Sequence, residues 1–176
     1  MNNKVVLVNT KDEVIGEYDK IKAHKEGLLH RAFSVFIFNS HGELYLQKRA
    51  SHKYHSANLW TNTCCSHPNL NDDVEKNAIR RLKEEMGMEV SKLYFLDKIL
   101  YYVEFDNGLK EHELDYVFIG FSDDEPKINR EEVQEWKILS LEEIKENVKQ
   151  NPENFTFWFK LLLPKFDGLN IKEYVI

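Results

Sequence analysis

The sequence predicts an α/β fold in the broad, α+β sense: a mixed β-sheet sandwiched between helices. Short apolar or alternating runs bounded by turn residues recur along the chain, and each reads as a strand. Amphipathic helical patterns fall between some of them, but with no regular βα repeat, so a wholly parallel sheet is disfavoured. The length of 176 residues suits one domain, and 42% hydrophobic residues with 12% aromatic ones can build its core.

Taken in order, residues 4–8 form a short strand, and 14–18 return along it after a polar turn at 9–13. Residues 20–27 are polar and carry His24. Residues 28–39 are a strongly apolar strand, with His30 near its start. After the turn Asn39-Ser40-His41-Gly42, residues 43–49 alternate as the return strand. A polar loop with Lys53 follows, and a short strand over 59–63 runs into the two neighbouring cysteines, Cys64 and Cys65.

Asp72 or Asp73 can cap the next helix, over 72–86, where Val74, Ala78, Leu82 and Met86 form one apolar stripe. Gly87 can end it in the left-handed conformation. Residues 90–105 and 111–120 form a hairpin around Asp106-Asn107-Gly108. Residues 133–138 read as another strand. Ser140 and Glu143 have capping-box spacing and open a helix to about residue 148. A last helix starts at Asn151-Pro152, carries Phe155, Trp158, Phe159 and Leu162 as its stripe, and stops at Pro164.

Charge and composition exclude several functions. A net charge of −6 without a block of like charges disfavours a general nucleic-acid binder. No apolar run approaches the length of a membrane span. The N-terminus lacks the pattern of a secretory signal, and the only two cysteines are adjacent and cannot staple the fold. These features predict a reduced, cytoplasmic protein.

The chemistry concentrates between residues 60 and 88. Cys65 and His67 are two apart and share a side in an extended chain. Metal-ligand types are His24, His30, His67, Glu111 and Glu113, a set that suits Mn²⁺, Zn²⁺ or Fe²⁺ better than an all-oxygen Mg²⁺ cage. Lone histidines are more often surface or core residues, and His41, His52, His55 and His112 are assigned to that class.

Arg80-Arg81-Leu82-Lys83-Glu84-Glu85-Met86-Gly87-Met88 resembles the end of the Nudix box, R-E-U-x-E-E-x-G-U, with U a bulky aliphatic residue. Ser66, Asp72 and Arg81 depart from the full box. Arg81 replaces a metal-binding glutamate by a phosphate-binding cation, which argues against a diphosphate hydrolase while keeping diphosphate binding. With Gly27-Leu28-Leu29-His30-Arg31-Ala32-Phe33-Ser34, Trp60-Thr61-Asn62-Thr63-Cys64-Cys65-Ser66-His67-Pro68 and Glu111-His112-Glu113, the chain resembles the type 1 isopentenyl-diphosphate isomerases of the Nudix superfamily. The resemblance runs from about residue 20 to residue 160 and makes residues 1–176 a single Nudix-like domain.

The resemblance implies a reversible shift of a double bond between isopentenyl and dimethylallyl diphosphate in isoprenoid biosynthesis. It implies Cys65 and Glu113 as catalytic residues, assisted by Tyr101. Glu113 with Tyr101 is expected as the acid side in the forward direction, and Cys65 as the base. It gives Lys20, Arg49, Lys53 and Arg81 to the diphosphate, and Trp158 to the hydrocarbon part. His24, His30, His67, Glu111 and Glu113 are expected to hold Mn²⁺, Zn²⁺ or Mg²⁺, and Glu85 a Mg²⁺ that bridges to the diphosphate. The expected partner is this small diphosphate, with no nucleic acid or membrane; monomer and dimer both remain open. A metal-binding or redox-sensing module without turnover is the rival from another class, and it leaves the four cations without a purpose.

Overall fold

The computed structural model describes residues 3–174. Its strands are β1 (Lys4–Val8), β2 (Val14–Asp19), β3 (His30–Phe38), β4 (Leu44–Arg49), β5 (Trp60–Thr61), β6 (Cys64–Ser66), β7 (Tyr94–Glu104), β8 (Lys110–Phe121) and β9 (Val133–Leu139). The helices are α1 (Lys20–Glu26), α2 (Val74–Met86), α3 (Leu141–Gln150) and α4 (Phe157–Leu162). Among the described residues, no helix is long and apolar enough to cross a membrane.

β3 is the spine. It pairs in parallel with β8 from His30↔Glu113 to Phe38↔Phe121. On its other side it meets β1 at Leu7↔His30, then β6 at Phe33↔Ser66, Ser34↔Cys65 and Val35↔Cys64, all antiparallel. β7 closes antiparallel on β8, and β9 on β4. The sheet is therefore mixed, as expected.

β3 is apolar throughout its second half because both its faces are covered there. Phe36 and Phe38 pack with Val117, Ile119, Ile144, Phe155, Phe159 and Leu162, beneath α3 and α4. Phe33, Val35 and Ile37 point the other way, to Cys64, Ala78, Leu82 and Met86 under α2. At the first half of β3 the α4-side face changes character. His30 and Ser34 there lie beside Glu113 and Asp115 of β8, and Ser34 Oγ donates to Asp115 Oδ2 at 2.8 Å. One face of two strands is thus core at one end and polar at the other.

α2 begins where Asp73 accepts from Lys76 N at 2.9 Å and ends at Gly87, with φ +66°. Lys127 N and Asn129 N then donate to the carbonyls of Met86 and Glu85, at 2.8 and 2.9 Å. This pins the 127–132 segment across the helix end. A Cβ on Gly87 would stand 2.5 Å from the Lys127 carbonyl oxygen. Gly87→Ala is expected to lower stability by about 2–4 kcal/mol, from clash and left-handed strain together. Urea unfolding within 0.5 kcal/mol of the parent would refute this account.

Three elements differ from the sequence reading. Residues 20–26 form a helix, capped by Asp19 and closed by Gly27 in the left-handed region. The strand read over 59–63 is reduced to β5, and the cysteines lie on a separate strand, β6, that was not expected. The last helix is broken: a 3₁₀ turn (Pro152–Asn154) precedes Phe155, whose extended backbone lets it bridge to Trp60.

Candidate active site

The polar end of β3 and β8 opens on a cavity of about 890 Å³, within the size range of small-ligand sites. Its lining includes Cys65, His67, Glu111, Glu113, Trp158 and the cations Lys20, Arg49, Lys53 and Arg81. Four elements bring imidazoles and carboxylates together at one side. His24 comes from α1, His30 from β3, His67 from the loop after β6, and Glu113 from β8. One ligand-type atom from each of these four lies within 4.8 Å of the others. Glu111 does not fall in that set; it groups with His24 and His55 in a second, overlapping one.

The ring tautomers follow from the backbone. His24 Nδ1 lies 2.7 Å from the Lys20 carbonyl oxygen, and His30 Nδ1 lies 2.8 Å from that of Leu28. A carbonyl only accepts, so both Nδ1 atoms carry the proton and both Nε2 atoms keep a lone pair. These two Nε2 atoms are buried and make no hydrogen bond among the described residues. His67 Nε2 is 3.0 Å from Glu113 Oε1, and His30 Nε2 is 3.5 Å from the same oxygen. Buried lone pairs converging on carboxylates fit a divalent cation, whose ligands must be deprotonated.

Burial pushes the His24 pKa down to about 4 and that of His67 to about 3, so both are neutral. His30 is also penalised by burial, but the adjacent Glu113 carboxylate holds it above the usual value. Below pH 6.5 the unfolded chain protonates its histidines first, while His24 and His67 stay neutral in the fold. The folded state then binds fewer protons, so stability falls as pH is lowered from about 6.5 towards 4. His30 acts in the opposite sense, because its raised pKa makes the fold bind more protons above about pH 6.5, so it offsets part of the loss between pH 7 and 6.5 and none below. Metal-free protein is expected to be about 2 kcal/mol less stable at pH 5 than at pH 7 for each such imidazole. Urea midpoints that do not move between these pH values would contradict it.

The Tyr101 hydroxyl bridges the two carboxylates, 2.8 Å from Glu111 Oε2 and 2.6 Å from Glu113 Oε2. It does so because the β7–β8 register sets Tyr101 opposite Glu113. Burial opposes ionisation of Glu113, yet the adjacent imidazoles of His30 and His67, the latter hydrogen-bonded to it at 3.0 Å, hold its pKa well below the usual range.

Cys65 and Glu113 sit on β6 and β8, the strands that flank β3. Burial pushes the Cys65 thiol up to about 12, the Arg49 guanidinium opposing and the carboxylates of Glu85, Glu111 and Glu113 adding to it. Cys65 is therefore a thiol and Glu113 a carboxylate in the free protein. Arg49 Nη1 lies 3.9 Å from Cys65 Sγ, and its guanidinium stacks 5.3 Å from the Trp158 ring. Trp158 leaves the apolar stripe of Phe155, Phe159 and Leu162 and lines the cavity instead.

At the far side Arg81 donates to Glu84 and Glu85, each at 2.7 Å, and to Glu132 at 3.2 Å. Lys53 pairs with Glu132, and Lys20 lies 4.9 Å over the Tyr54 ring. Burial and the charges of Lys53 and Arg49 lower the Lys20 pKa. Gln47 Nε2 donates to Glu85 Oε2 at 3.1 Å. Each Glu85 oxygen keeps a second lone pair, so a Mg²⁺ could still be taken there.

Two residues escaped the sequence reading. Glu132, at 3% exposure, ties Lys53 to Arg81 from the position just before β9. His55, read as a surface or core histidine, lies 2.9 Å from Glu111. No periodicity marks either residue.

Residues 28–159 match the NUDIX domain family. The chain is 44% identical over 167 residues to "Isopentenyl-diphosphate Delta-isomerase 2" of Aromatoleum aromaticum, covering 94% of this chain and 87% of that one. It is 47% identical over 158 residues to "Isopentenyl-diphosphate Delta-isomerase" of Pectobacterium atrosepticum, covering 90% and 88%. Among solved structures, the fold is similar to that of DR0079 from Deinococcus radiodurans. The TM-score is 0.69, with 18% identity over 84% of this chain and 89% of that one. A MutT protein from Methanosarcina mazei is similar at TM-score 0.66 and 20% identity, covering 81% and 96%.

Proposed function

The chain belongs to the isopentenyl-diphosphate Delta-isomerase family of NUDIX-domain proteins, and from that premise we propose the following division of labour in its cavity. The protein is an isomerase that interconverts isopentenyl and dimethylallyl diphosphate. One observation carries the reading: a thiol, a carboxylate and four cations line one cavity.

The reaction adds a proton to the terminal alkene carbon and removes one from the carbon nearer the diphosphate. Positive charge develops between the two events, and water would quench it, so water must be excluded from around the bound hydrocarbon. Cys65 and Glu113 are the proton carriers. One must hold a proton when the other does not. The free protein favours a loaded Cys65 and an empty Glu113, so the thiol gives and the carboxylate takes. The opposite order, expected from the resemblance, needs a proton on Glu113, and the Tyr101 hydroxyl is a donor already within 2.6 Å. Because the reaction is reversible, each order serves one direction. Trp158 offers its indole face to the developing cation, worth about 0.5–2 kcal/mol.

His24, His30, His67, Glu111 and Glu113 would hold a divalent ion, Mn²⁺, Zn²⁺ or Mg²⁺, whose charge fixes Glu113 and tunes its proton affinity. A Mg²⁺ at Glu85 would neutralise the diphosphate. Lys20, Arg49, Lys53 and Arg81 bind that group, and Glu132 spaces two of them. The anchoring positions the alkene between the two carriers. We take residues 1–176 as one isomerase domain, working in the cytoplasm with both cysteines reduced.

Arg81→Lys keeps a charge beside Glu85 and Glu132 but removes the planar fork. It is expected to raise KM for isopentenyl diphosphate about tenfold with a smaller effect on kcat, in line with one lost charge-assisted bond. An unchanged KM would remove Arg81 from the diphosphate site. The whole reading is tested by turnover in deuterated water with a divalent cation. Deuterium should enter dimethylallyl diphosphate, with no inorganic phosphate released. Phosphate release without an allylic product would replace the isomerase by a hydrolase.

A further inference from the structure

His55 takes no part in the proton transfers or the diphosphate contacts described above, yet it is one of the most constrained side chains in the cavity wall. Its side chain is 2% exposed. The ring stacks on Phe105 at 4.8 Å and 11°, and meets Tyr54 edge-on at 4.4 Å and Trp158 edge-on at 6.0 Å. Arg49 Nη2 holds its carbonyl oxygen at 3.3 Å. An apolar residue would fill such a slot without leaving a nitrogen to satisfy. His55 Nδ1 has Ser56 Oγ at 3.3 Å. Nε2 has no hydrogen-bond partner among the described residues, although Glu111 Oε1 is only 2.9 Å away.

That short distance without a hydrogen bond means the oxygen lies off the axis of the ring nitrogen. Two donor atoms stand this way when both aim at a third point. Ligand bonds of about 2.1 Å put neighbouring donors of a six-coordinate ion about 3 Å apart. The His55–Glu111 spacing has that value, and so does the 3.0 Å between His67 Nε2 and Glu113 Oε1. His24, His55 and Glu111 have donor atoms within 4.8 Å of one another, as do His24, His30, His67 and Glu113.

We propose that His55 Nε2 is a direct ligand of the same metal ion, on the Glu111 side. This rests on the metal assignment of the proposed function and extends it. There is one ion and not two, because His24 belongs to both groups. Its Nδ1 is committed to the Lys20 carbonyl oxygen, and Nε2 has a single lone pair to give. Four imidazoles and two carboxylates then surround the ion. The sphere is full, so neither water nor substrate touches the metal. Its influence reaches the reaction only through the Glu113 carboxylate.

The test is to strip the full-length protein of metal, reload it with Mn²⁺ alone, and count coordinated imidazole nitrogens by pulsed EPR. Wild type should give four and His55→Ala three. Water-proton relaxivity per bound Mn²⁺ should be near the outer-sphere level in wild type and rise several-fold in the variant, as a water enters the vacated position. The Mn²⁺ dissociation constant should rise at least about tenfold. Three nitrogens in wild type, or a fast-exchanging water there, overturns the proposal while leaving the metal site and the isomerase reading intact. A protein that takes up no Mn²⁺ at its histidines overturns both metal assignments. If His55→Ala does not fold, the wild-type count and relaxivity decide alone.

Discussion

Replacing Cys65 with alanine is expected to lower conversion of isopentenyl to dimethylallyl diphosphate by about 10²–10⁴-fold, the usual contribution of a positioned proton carrier. The fold should survive. Cys65 is on the cavity wall, and among the described residues its sulfur has one long polar contact, 3.9 Å from Arg49 Nη1. Its neighbour is the control. Cys64 is wholly buried among Val35, Ala78 and Leu82, so Cys64→Ser should act on stability and not on the chemical step. Turnover of Cys65→Ala within tenfold of the parent, in protein with a native melting temperature, would remove the thiol from the mechanism.

Glu113→Gln should be as severe, and in two measurements at once. The amide is nearly isosteric, so it can keep the contacts to His67 and Tyr101, but it cannot take up a proton. The rate is expected to fall by about 10²–10⁴-fold. The variant should also lose divalent metal to a chelator more readily, because one anionic ligand has become neutral. Full activity after chelation and return of the cation would count against both roles. A rate loss with unaltered metal retention would leave the proton role and discard the ligand role.

Much of this architecture was legible in the residues. The β3 run, the α2 stripe with its Gly87 stop and the Ser140–Glu143 capping box are local signals with a fixed period or geometry, and each element formed close to its expected bounds. α1 was missed because seven mostly polar residues show little amphipathic contrast; only Ala23 and His24 are buried. The last helix was read through Phe155 because its apolar spacing is helical, but pairing with Trp60 outweighs that local preference. The cavity residues were expected from the motifs and the resemblance they carry, and the structure brings Cys65, Glu113, Trp158 and the cations to one cavity, with Tyr101 hydrogen-bonded to Glu111 and Glu113. Glu132 and His55 are different in kind. The charged and ring partners that set each of them apart lie fifty or more positions away: Arg81 and Lys53 for one, Glu111 and Phe105 for the other. Local patterning carries no record of such neighbours.

The parallel pairing of β3 with β8 bears on how the protein comes to exist. His30 and Glu113 are adjacent rungs separated by some eighty residues of chain, and contacts of such high order are slow to form. The antiparallel hairpin of β7 and β8 can zip early; its docking on β3 cannot. A nascent or partly refolded chain therefore holds the histidines apart from the carboxylates and has little affinity for a cation. Ion capture then follows this long-range pairing, and cation supplied during refolding favours the paired state by mass action.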